Sequence, residues 1–258
     1  MNFQQFIEQS YIILRQDYFQ AVAKPSDLEI LHQNIVLFRE GMRFFFERPE
    51  RERDLFKSGD YVFRSSGYLA GYWPQTVYDD IYEAKKFPLE YYNSKKFYSG
   101  DRDEFFVPEN NVNPESLPEV EKLPHNQGYD IAQFVNRHIN SPLLEELRSY
   151  LEPNSHLSCI LQIKPTYYRE KVILDLHRDK SFIQSIIGPT SNLMIQPEGA
   201  TEHQMITLDI GEILVYTGFQ FQEYFKNVGV LARVKPLAHG VIAEEKRMSI
   251  VASTILNI

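Results

Sequence analysis

Residues 170–179 read Glu-Lys-Val-Ile-Leu-Asp-Leu-His-Arg-Asp, and this stretch predicts a β-strand that ends in a His-X-Asp pair. Side chains two residues apart lie on the same face of a strand, so His177 and Asp179 are expected to share a face with Ile173 and Asp175. Three apolar residues lie on the other face and are expected to pack as core: Val172, Leu174 and Leu176. The strand therefore predicts one chemical face and one core face.

Alternating apolar and polar residues continue along the chain from about residue 157 to 256. The pattern predicts eight short strands, at 157–162, 170–177, 181–187, 192–196, 204–208, 212–216, 237–242 and 247–256. Turn residues separate them, including Pro-Glu-Gly at 197–199 and Asp-Ile-Gly at 209–211. Eight strands of this kind suit a double-sheet jelly roll, although a plain sandwich would give the same pattern.

The first half of the chain has helical spacing instead. A helix is predicted over 26–47, with Ser26-Asp27 as its N-cap, and a second over about 129–151, with a break near Ser141 because Pro142 follows. The predicted fold is α+β, mainly β, with a double-stranded β-helix (jelly-roll) core and N-terminal and flanking helices. We expect one domain over 1–258, mostly helical in 1–150 and with the jelly roll in 151–258.

Composition argues against several classes of function. The formal net charge of -8 disfavours nucleic acid as a partner, because an acidic surface repels phosphate backbones. The single cysteine, Cys159, is expected to be a buried thiol in a reducing compartment, which favours a cytoplasmic protein. We expect neither a signal peptide nor a membrane span, since no apolar run is long enough. The oligomeric state stays open.

His177, Asp179 and His239 are the candidate metal ligands. A His-X-Asp pair at a strand end can reach one ion, and His239 lies in another short apolar strand within 235–241. Two histidines and one carboxylate form a facial triad, which leaves open positions for a co-substrate and O2 on iron(II). Each piece alone has an ordinary interpretation, as a surface ion pair or a core histidine. The remaining histidines are expected to be structural or exposed: His32, His125, His138, His156 and His203.

Arg247 and Ser249 follow the second histidine on a predicted strand and share a face. An arginine that points into an apolar barrel needs a carboxylate partner, because an unpaired buried charge costs several kcal/mol. A bidentate contact with a ligand carboxylate, helped by the Ser249 hydroxyl, would meet that need.

The order His-X-Asp, distal His and Arg-X-Ser resembles the signature of the iron(II)/2-oxoglutarate dioxygenase superfamily, in its isopenicillin N synthase-like branch. Phe-Phe-Phe-Glu-Arg-Pro at 44–49, Gly-Tyr at 67–68 and the segment 208–218 are similar to further family segments, so the resemblance spans roughly the whole chain. It implies that His177, Asp179 and His239 hold iron and that Arg247 and Ser249 bind 2-oxoglutarate.

The chain departs from this family pattern in its compact length, in the segment from His239 to Arg247, which is shorter than usual, and on the first barrel strand. The first barrel strand usually carries a tyrosine that contacts the co-substrate, but residues 162–165 read Gln-Ile-Lys-Pro. Ile163 cannot replace a phenol, so Tyr167, Tyr168 or Gln162 would have to do so.

The resemblance implies a non-haem iron(II) oxygenase that uses 2-oxoglutarate and O2 to oxidise a small molecule by hydroxylation, desaturation or ring closure. Two alternatives are an iron oxidase without 2-oxoglutarate, whose substrate carboxylate sits on Arg247, and a jelly-roll protein that binds a small acidic ligand without catalysis. The candidate substrate contacts are polar or aromatic: Arg64, Tyr68, Trp73, Lys164 and Arg178.

Overall fold

The structure is a computed structural model that describes residues 1–54, 71–73, 98–99, 102–106, 125–152, 157–169 and 172–256. The α-helices in these ranges are α1 (Phe3–Gln9), α2 (Gln16–Val22), α3 (Pro25–Phe46), α4 (Glu50–Arg53), α5 (His125–Val135), α6 (Ser141–Arg148) and α7 (Phe219–Phe225). The strands are β1 (Tyr11–Leu14), β2 (Gly71–Trp73), β3 (Tyr98–Ser99), β4 (Arg102–Phe106), β5 (Cys159–Tyr168), β6 (Val172–His177), β7 (Ile183–Ile187), β8 (Thr190–Gln196), β9 (Gln204–Leu208), β10 (Ile213–Thr217), β11 (Ala238–Ala243) and β12 (Arg247–Leu256).

The strands form two antiparallel sheets, which confirms the predicted jelly roll. One sheet has the strand order β1-β10-β7-β12-β5-β4-β2, and the other has β3-β6-β11-β8-β9. From β5 to β12 the chain passes to the other sheet at every step except from β8 to β9, which are neighbours in the five-stranded sheet. All eight predicted strands form, and β5 extends to Tyr168, six residues beyond the predicted end at residue 162.

The seven-stranded sheet separates two apolar layers. Along β12, Met248, Ile250 and Ala252 belong to the larger core that includes the helices. Val251 packs instead against the smaller cluster between the two sheets, which we call the lumen. Side chains alternate along a strand, so Arg247 and Ser249 lie on the lumen face with Val251.

Helix α3 covers the outer face of the seven-stranded sheet. Its apolar positions, among them Phe38, Met42 and Phe46, are fully buried at helical spacing. The predicted cap was wrong by two residues, because Pro25 takes the first helical turn and Lys24 is the N-cap. Proline suits that position because its fixed φ matches the helix and the missing N–H has no partner there.

The predicted break near Ser141 is confirmed as a π-helical turn at Asn136–Asn140 between α5 and α6. Pro142 has no N–H to donate to the carbonyl four residues earlier, that of His138. The hydroxyl of Tyr18 donates to this carbonyl at 3.0 Å, so α2 supplies the hydrogen bond that the proline cannot.

The prediction of a mostly helical first part was incomplete. β1 pairs with β10 at one edge of the seven-stranded sheet, and β2 and β4 extend the other edge beyond β5. None of these three strands exceeds five residues, which is too short for a clear alternation in sequence. In the described residues, no helix combines the length and apolar character that a membrane crossing needs.

Candidate metal centre

Two neighbouring strands of the five-stranded sheet place the candidate histidines side by side. His177, the last residue of β6, lies directly opposite His239 in β11, and their ring centroids are 4.3 Å apart. Cross-strand partners share a face of the sheet, so both imidazoles point the same way.

A β-bulge in β6 places Leu174 on the opposite face of the strand from the one predicted. Leu174 pairs with Val241 while His177 pairs with His239, so residues 175 and 176 lie opposite the single residue Gly240. The extra residue shifts the alternation by one. Leu174 is therefore buried in the lumen on the side of the histidines, and not on the opposite face as predicted.

Asp179 lies two residues beyond the end of β6 and turns back toward both imidazoles. Its Oδ1 is 3.6 Å from Nε2 of His177, and its Oδ2 is 3.3 Å from Nε2 of His239. One potential ligand atom from each of the three residues lies within 4.8 Å of the others. Among the described residues, this is the one group of three or more His, Cys, Asp or Glu side chains close enough to share an ion.

The turn that carries Asp179 is fixed by the chain segment after β10. The backbone N–H of Phe219 donates to the carbonyl of Asp179 at 2.8 Å, and that of Gly218 donates to Phe182 at 3.1 Å. A side chain at position 218 would place its Cβ 2.1 Å from the carbonyl oxygen of Ser181. Glycine at 218 therefore permits the close backbone contact that positions the carboxylate.

The carboxylate of Asp179 is held in its ionised form. Burial alone would raise its pKa, but the neighbouring His239 and His177, through charge and hydrogen bonding, keep the pKa well below its ordinary value of 3.8. The hydroxyl of Tyr216 also donates to Oδ2, at 2.7 Å. Burial, together with the charge of Asp179, raises the pKa of Tyr216 well above its ordinary value of 10.0. An ionised carboxylate and a neutral phenol are the result.

The hydrogen bonds around His239 show that these residues fit a cation. Nδ1 of His239 lies 3.4 Å from the carbonyl oxygen of Leu237, which can only accept, so in the neutral imidazole Nδ1 carries the proton and Nε2 a lone pair. Nε2 is also 3.0 Å from the hydroxyl of Tyr216. That hydroxyl has one proton for two acceptors, Nε2 and the carboxylate of Asp179. A cation at this position would meet the carboxylate and, in the neutral imidazole, the lone pair of Nε2 at the same time.

Arg247 reaches across the lumen from β12 in the seven-stranded sheet. Its Nη2 donates to the hydroxyl of Thr190, the first residue of β8 in the opposite sheet. Its Nε and Nη1 are buried and have no partner among the described residues. Burial lowers the pKa of Arg247, which the nearby Tyr168 partly offsets. Free donors on a buried cation fit a carboxylate ligand.

Of the two tyrosines considered as replacements for the family's co-substrate tyrosine, only Tyr168 lies near Arg247. Tyr168 pairs directly with Arg247, and it belongs to the buried lumen cluster. Tyr167 faces the helices instead, where its hydroxyl donates to Glu47 at 3.0 Å, so it cannot contact a ligand in the lumen. Ile163 belongs to the same outer core as Tyr167. Ser249 is buried on the lumen face, 4% exposed.

Of the five candidate substrate contacts, Lys164 lies on the lumen face and Arg178 lies at the surface. Lys164 lies on the lumen face of β5 and pairs at 2.9 Å with Glu104, a residue of β4 that is 1% exposed. Arg178 is exposed and donates to the carbonyl of Pro236. Trp73 lies in β2, and residues 64 and 68 lie outside the described residues.

The other histidines keep away from the metal centre wherever the structure describes them. His138 lies in the π-helical turn against Phe134, His32 is half-buried in α3, and His203 is exposed. The side chain of His125 and all of residue 156 lie outside the described residues. Cys159 was predicted to be buried, but it is half-buried, and burial raises the pKa of its thiol to about 12.

Sequence reasoning missed Tyr216 and Gln184, which both donate to Asp179. A signal was present for Gln184, since it is a polar residue in the apolar stretch Phe182–Ile187. Tyr216 gave no comparable signal, because tyrosine is common in buried strands.

No family model matches the sequence, and no curated protein matches it either. Solved structures of similar fold do exist. The dioxygenase for auxin oxidation 1 of Arabidopsis thaliana, in complex with 2-oxoglutarate, matches with a TM-score of 0.59 and 11% identity over 99% of this chain and 87% of its own. The rice dioxygenase for auxin oxidation matches with a TM-score of 0.59 and 13% identity over 97% of this chain and 75% of its own.

A third similar structure is that of a full-length Neurospora crassa protein in complex with α-ketoglutarate and 5-formyluracil. Its TM-score is 0.58 at 10% identity, over 99% of this chain and 77% of its own. At such identities the likeness is one of fold, and it confirms at that level the resemblance that the sequence indicates. The chain therefore has the jelly-roll fold of the 2-oxoglutarate and iron(II) oxygenases.

Proposed function

We propose that this protein is a non-haem iron(II) oxygenase that uses 2-oxoglutarate and O2 to oxidise a small molecule. The observation that carries the proposal is the convergence of His177, Asp179 and His239, from two strands and a turn, within 4.8 Å inside a jelly roll. Two histidines and one carboxylate with open positions are the ligand set of such iron centres. The fold shared with structures that contain 2-oxoglutarate supports the same proposal.

In this proposal, His177, Asp179 and His239 hold iron. When bound, iron and 2-oxoglutarate supply the oxidation: decarboxylation of 2-oxoglutarate to succinate and CO2 consumes one atom of O2 and delivers the other to the oxidation of substrate. The residues of the chain orient these groups and exclude water from them.

Arg247 and Ser249 bind the far carboxylate of 2-oxoglutarate in this proposal. The support is the free Nε and Nη1 of Arg247, which face no described partner although they are buried. Tyr168, directly across the strand pair, is the proposed replacement for the missing tyrosine. Pairing the guanidinium with a carboxylate removes most of the penalty of its burial.

The proposed substrate is a small molecule with polar groups. The support is the ion pair of Lys164 and Glu104, which places two charged groups on the lumen face of β5 and β4. The N. crassa and Arabidopsis structures contain small ligands in their complexes. We also propose one oxygenase domain over 1–258, with the metal ligands in 151–258, a cytoplasmic location and membership of the isopenicillin N synthase-like branch.

Release of succinate tests the proposal. Purified protein with iron(II), ascorbate, O2 and 2-oxoglutarate should release succinate even without substrate, through slow uncoupled turnover, and the His177→Ala variant should release none above background. His138→Ala is the matched control, because that histidine lies outside the centre. Equal succinate release by native protein and His177→Ala would refute the assignment. Iron-dependent consumption of O2 that is indifferent to 2-oxoglutarate would favour the alternative iron oxidase.

A further inference from the structure

A row of polar side chains crosses the lumen face of the seven-stranded sheet beneath the metal centre. In the register of the sheet, Gln184 of β7 lies directly opposite Tyr216 of β10 on one side and Ser253 of β12 on the other. Cross-strand partners point to the same side of a sheet, so the three side chains form one line. Gln184 and Tyr216 are 5% and 1% exposed, respectively. A buried polar row is costly unless its members are hydrogen-bonded.

Two members of this row donate to the same oxygen of Asp179. The amide nitrogen of Gln184 donates to Oδ2 at 2.7 Å, and the hydroxyl of Tyr216 donates to Oδ2 at 2.7 Å. Oδ1 lies 3.6 Å from Nε2 of His177 and Oδ2 lies 3.3 Å from Nε2 of His239, so each oxygen is near one imidazole, but only Oδ2 accepts from Gln184 and Tyr216. The two donors therefore mark the two carboxylate oxygens as chemically different.

We propose that Gln184 and Tyr216 are positioning residues that hold Oδ2 of Asp179, so that Oδ1 alone is offered to the metal, and that Ser253 sets the orientation of the Gln184 amide. This inference rests on the proposed metal centre. A carboxylate that binds through one oxygen occupies one coordination position, which keeps three positions free. A carboxylate free to rotate can bind through both oxygens and block one of them.

Ser253 determines which end of the Gln184 amide faces Asp179. The hydroxyl of Ser253 donates to Oε1 of Gln184 at 2.5 Å, which leaves the NH2 group directed at the carboxylate. A reversed amide would set its oxygen against the carboxylate of Asp179, and two acceptors repel each other. Ser253 therefore keeps the NH2 group of Gln184, and not its carbonyl oxygen, directed at Oδ2 of Asp179.

Tyr216 also affects His239. Its hydroxyl has a single proton and lies near two acceptors, Oδ2 of Asp179 and Nε2 of His239, so only one of them receives the hydrogen bond. The contact with the ionised carboxylate, at 2.7 Å, is shorter than the 3.0 Å contact with Nε2 of His239. Hydrogen bonds to charged acceptors are the stronger kind, so the proton goes to Asp179. Nε2 of His239 is then left with its lone pair free for a metal.

Metal affinity and cobalt spectra of isosteric variants test this inference. Gln184→Met and Tyr216→Phe remove the donor and keep the bulk of the side chain, and Ser253→Ala removes the hydroxyl that orients the amide. Loss of a hydrogen bond to a metal ligand commonly weakens binding by about 10- to 100-fold. We expect this loss for cobalt(II), measured by titration of the metal-free protein. We also expect the visible absorption spectrum of the bound cobalt to change, because the second carboxylate oxygen takes a position that another ligand holds in native protein.

Neighbouring residues that point to the helices give matched controls. Tyr167→Phe removes a phenol hydroxyl that bonds to Glu47, and Thr254→Ala removes a hydroxyl that accepts from Asn140 at 2.9 Å. Both should keep native cobalt affinity and spectrum. Ser253→Thr keeps a hydroxyl at the same Cβ and should restore most of the affinity that Ser253→Ala loses.

The outcomes separate this inference from the proposed function. If native protein binds no cobalt, the metal centre itself is refuted. If native protein binds cobalt while Gln184→Met and Tyr216→Phe bind it with unchanged affinity and spectrum, the centre stands and the positioning role is wrong. If the controls lose affinity equally, the effect is general destabilisation and the positioning role is also refuted.

Discussion

Removal of the charge of Arg247 should stabilise the unliganded protein. Most buried charged groups are paired, and deleting them costs stability. Arg247 differs, because Nε and Nη1 are buried without a partner among the described residues, and only Nη2 has one, the hydroxyl of Thr190. Methionine has a similar length and carries no charge, so Arg247→Met removes the unpaired donors with little loss of packing.

The expected change is the difference between two opposing effects. A buried charge without compensation costs about 3–5 kcal/mol. Loss of the hydrogen bond between the guanidinium and Thr190 costs about 1.5–3 kcal/mol. From the middles of the two ranges, Arg247→Met should raise the free energy of unfolding by about 2 kcal/mol when no ligand is bound.

Binding of 2-oxoglutarate should reverse this order of stability. A ligand at about 100 times its Kd stabilises the native state by about 2.7 kcal/mol. Native protein with manganese(II), an inert substitute for iron, should gain this amount on addition of 2-oxoglutarate. Arg247→Met should gain almost nothing, since no cation remains to meet the carboxylate.

Equilibrium unfolding in urea measures both effects, with Arg39→Met as the control. Arg39 is a second partly buried arginine, but its Nη1 donates to the carbonyls of Pro189 and Met248 at 3.1 Å and 3.0 Å. Its removal leaves two carbonyls unpaired and should cost at least about 2 kcal/mol. A similar loss in unliganded Arg247→Met, with stabilisation by 2-oxoglutarate intact, would show that Arg247 is structural and refute the reasoning.

The site and its surroundings give three further predictions. Gly218→Ala should lower the free energy of unfolding by about 1–3 kcal/mol in urea and weaken manganese(II) binding, because the new Cβ meets the carbonyl of Ser181 in the turn that carries Asp179. The pKa of Asp179 lies well below 3.8 in the folded protein, so its ionised form stabilises the fold above pH 3.8, and this contribution is lost as the pH falls further. Between about pH 5 and pH 3, the free energy of unfolding should therefore fall less in Asp179→Asn than in native protein. An equal fall in both proteins would contradict the assignment. With a thiol pKa of about 12, Cys159 in the folded protein should react with iodoacetamide more than about 100-fold slower at pH 8 than in unfolded protein, as mass spectrometry would show.

The barrel and the close approach of the three candidate ligands were predictable from sequence for a physical reason. The strands between 157 and 256 are short runs rich in apolar and β-branched residues and bounded by turn residues, and these features are visible in the sequence alone. The short distances among His177, Asp179 and His239 agree with the expectation that they share one site. The break in the second helical stretch was also predictable, because Pro142 cannot continue a regular helix.

The features that could not be predicted from the sequence depend on the register in which the strands pair. The bulge opposite Gly240 exists only because β6 pairs with β11, and it moved Leu174 to the side of the histidines. The row that supports Asp179 likewise needs three strands in one alignment. A single strand shows which residues share a face, but not which residues of other strands lie beside them.

An anaerobic titration of metal-free protein with iron(II), in the presence of 2-oxoglutarate, tests directly whether His177, Asp179 and His239 hold iron beside 2-oxoglutarate. A weak visible metal-to-ligand absorption band should appear and saturate at one equivalent of iron. The band should be absent in His239→Ala and shift to much higher concentrations of 2-oxoglutarate in Arg247→Met. Native protein that gives no band, or a band that His239→Ala retains unchanged, would contradict this assignment.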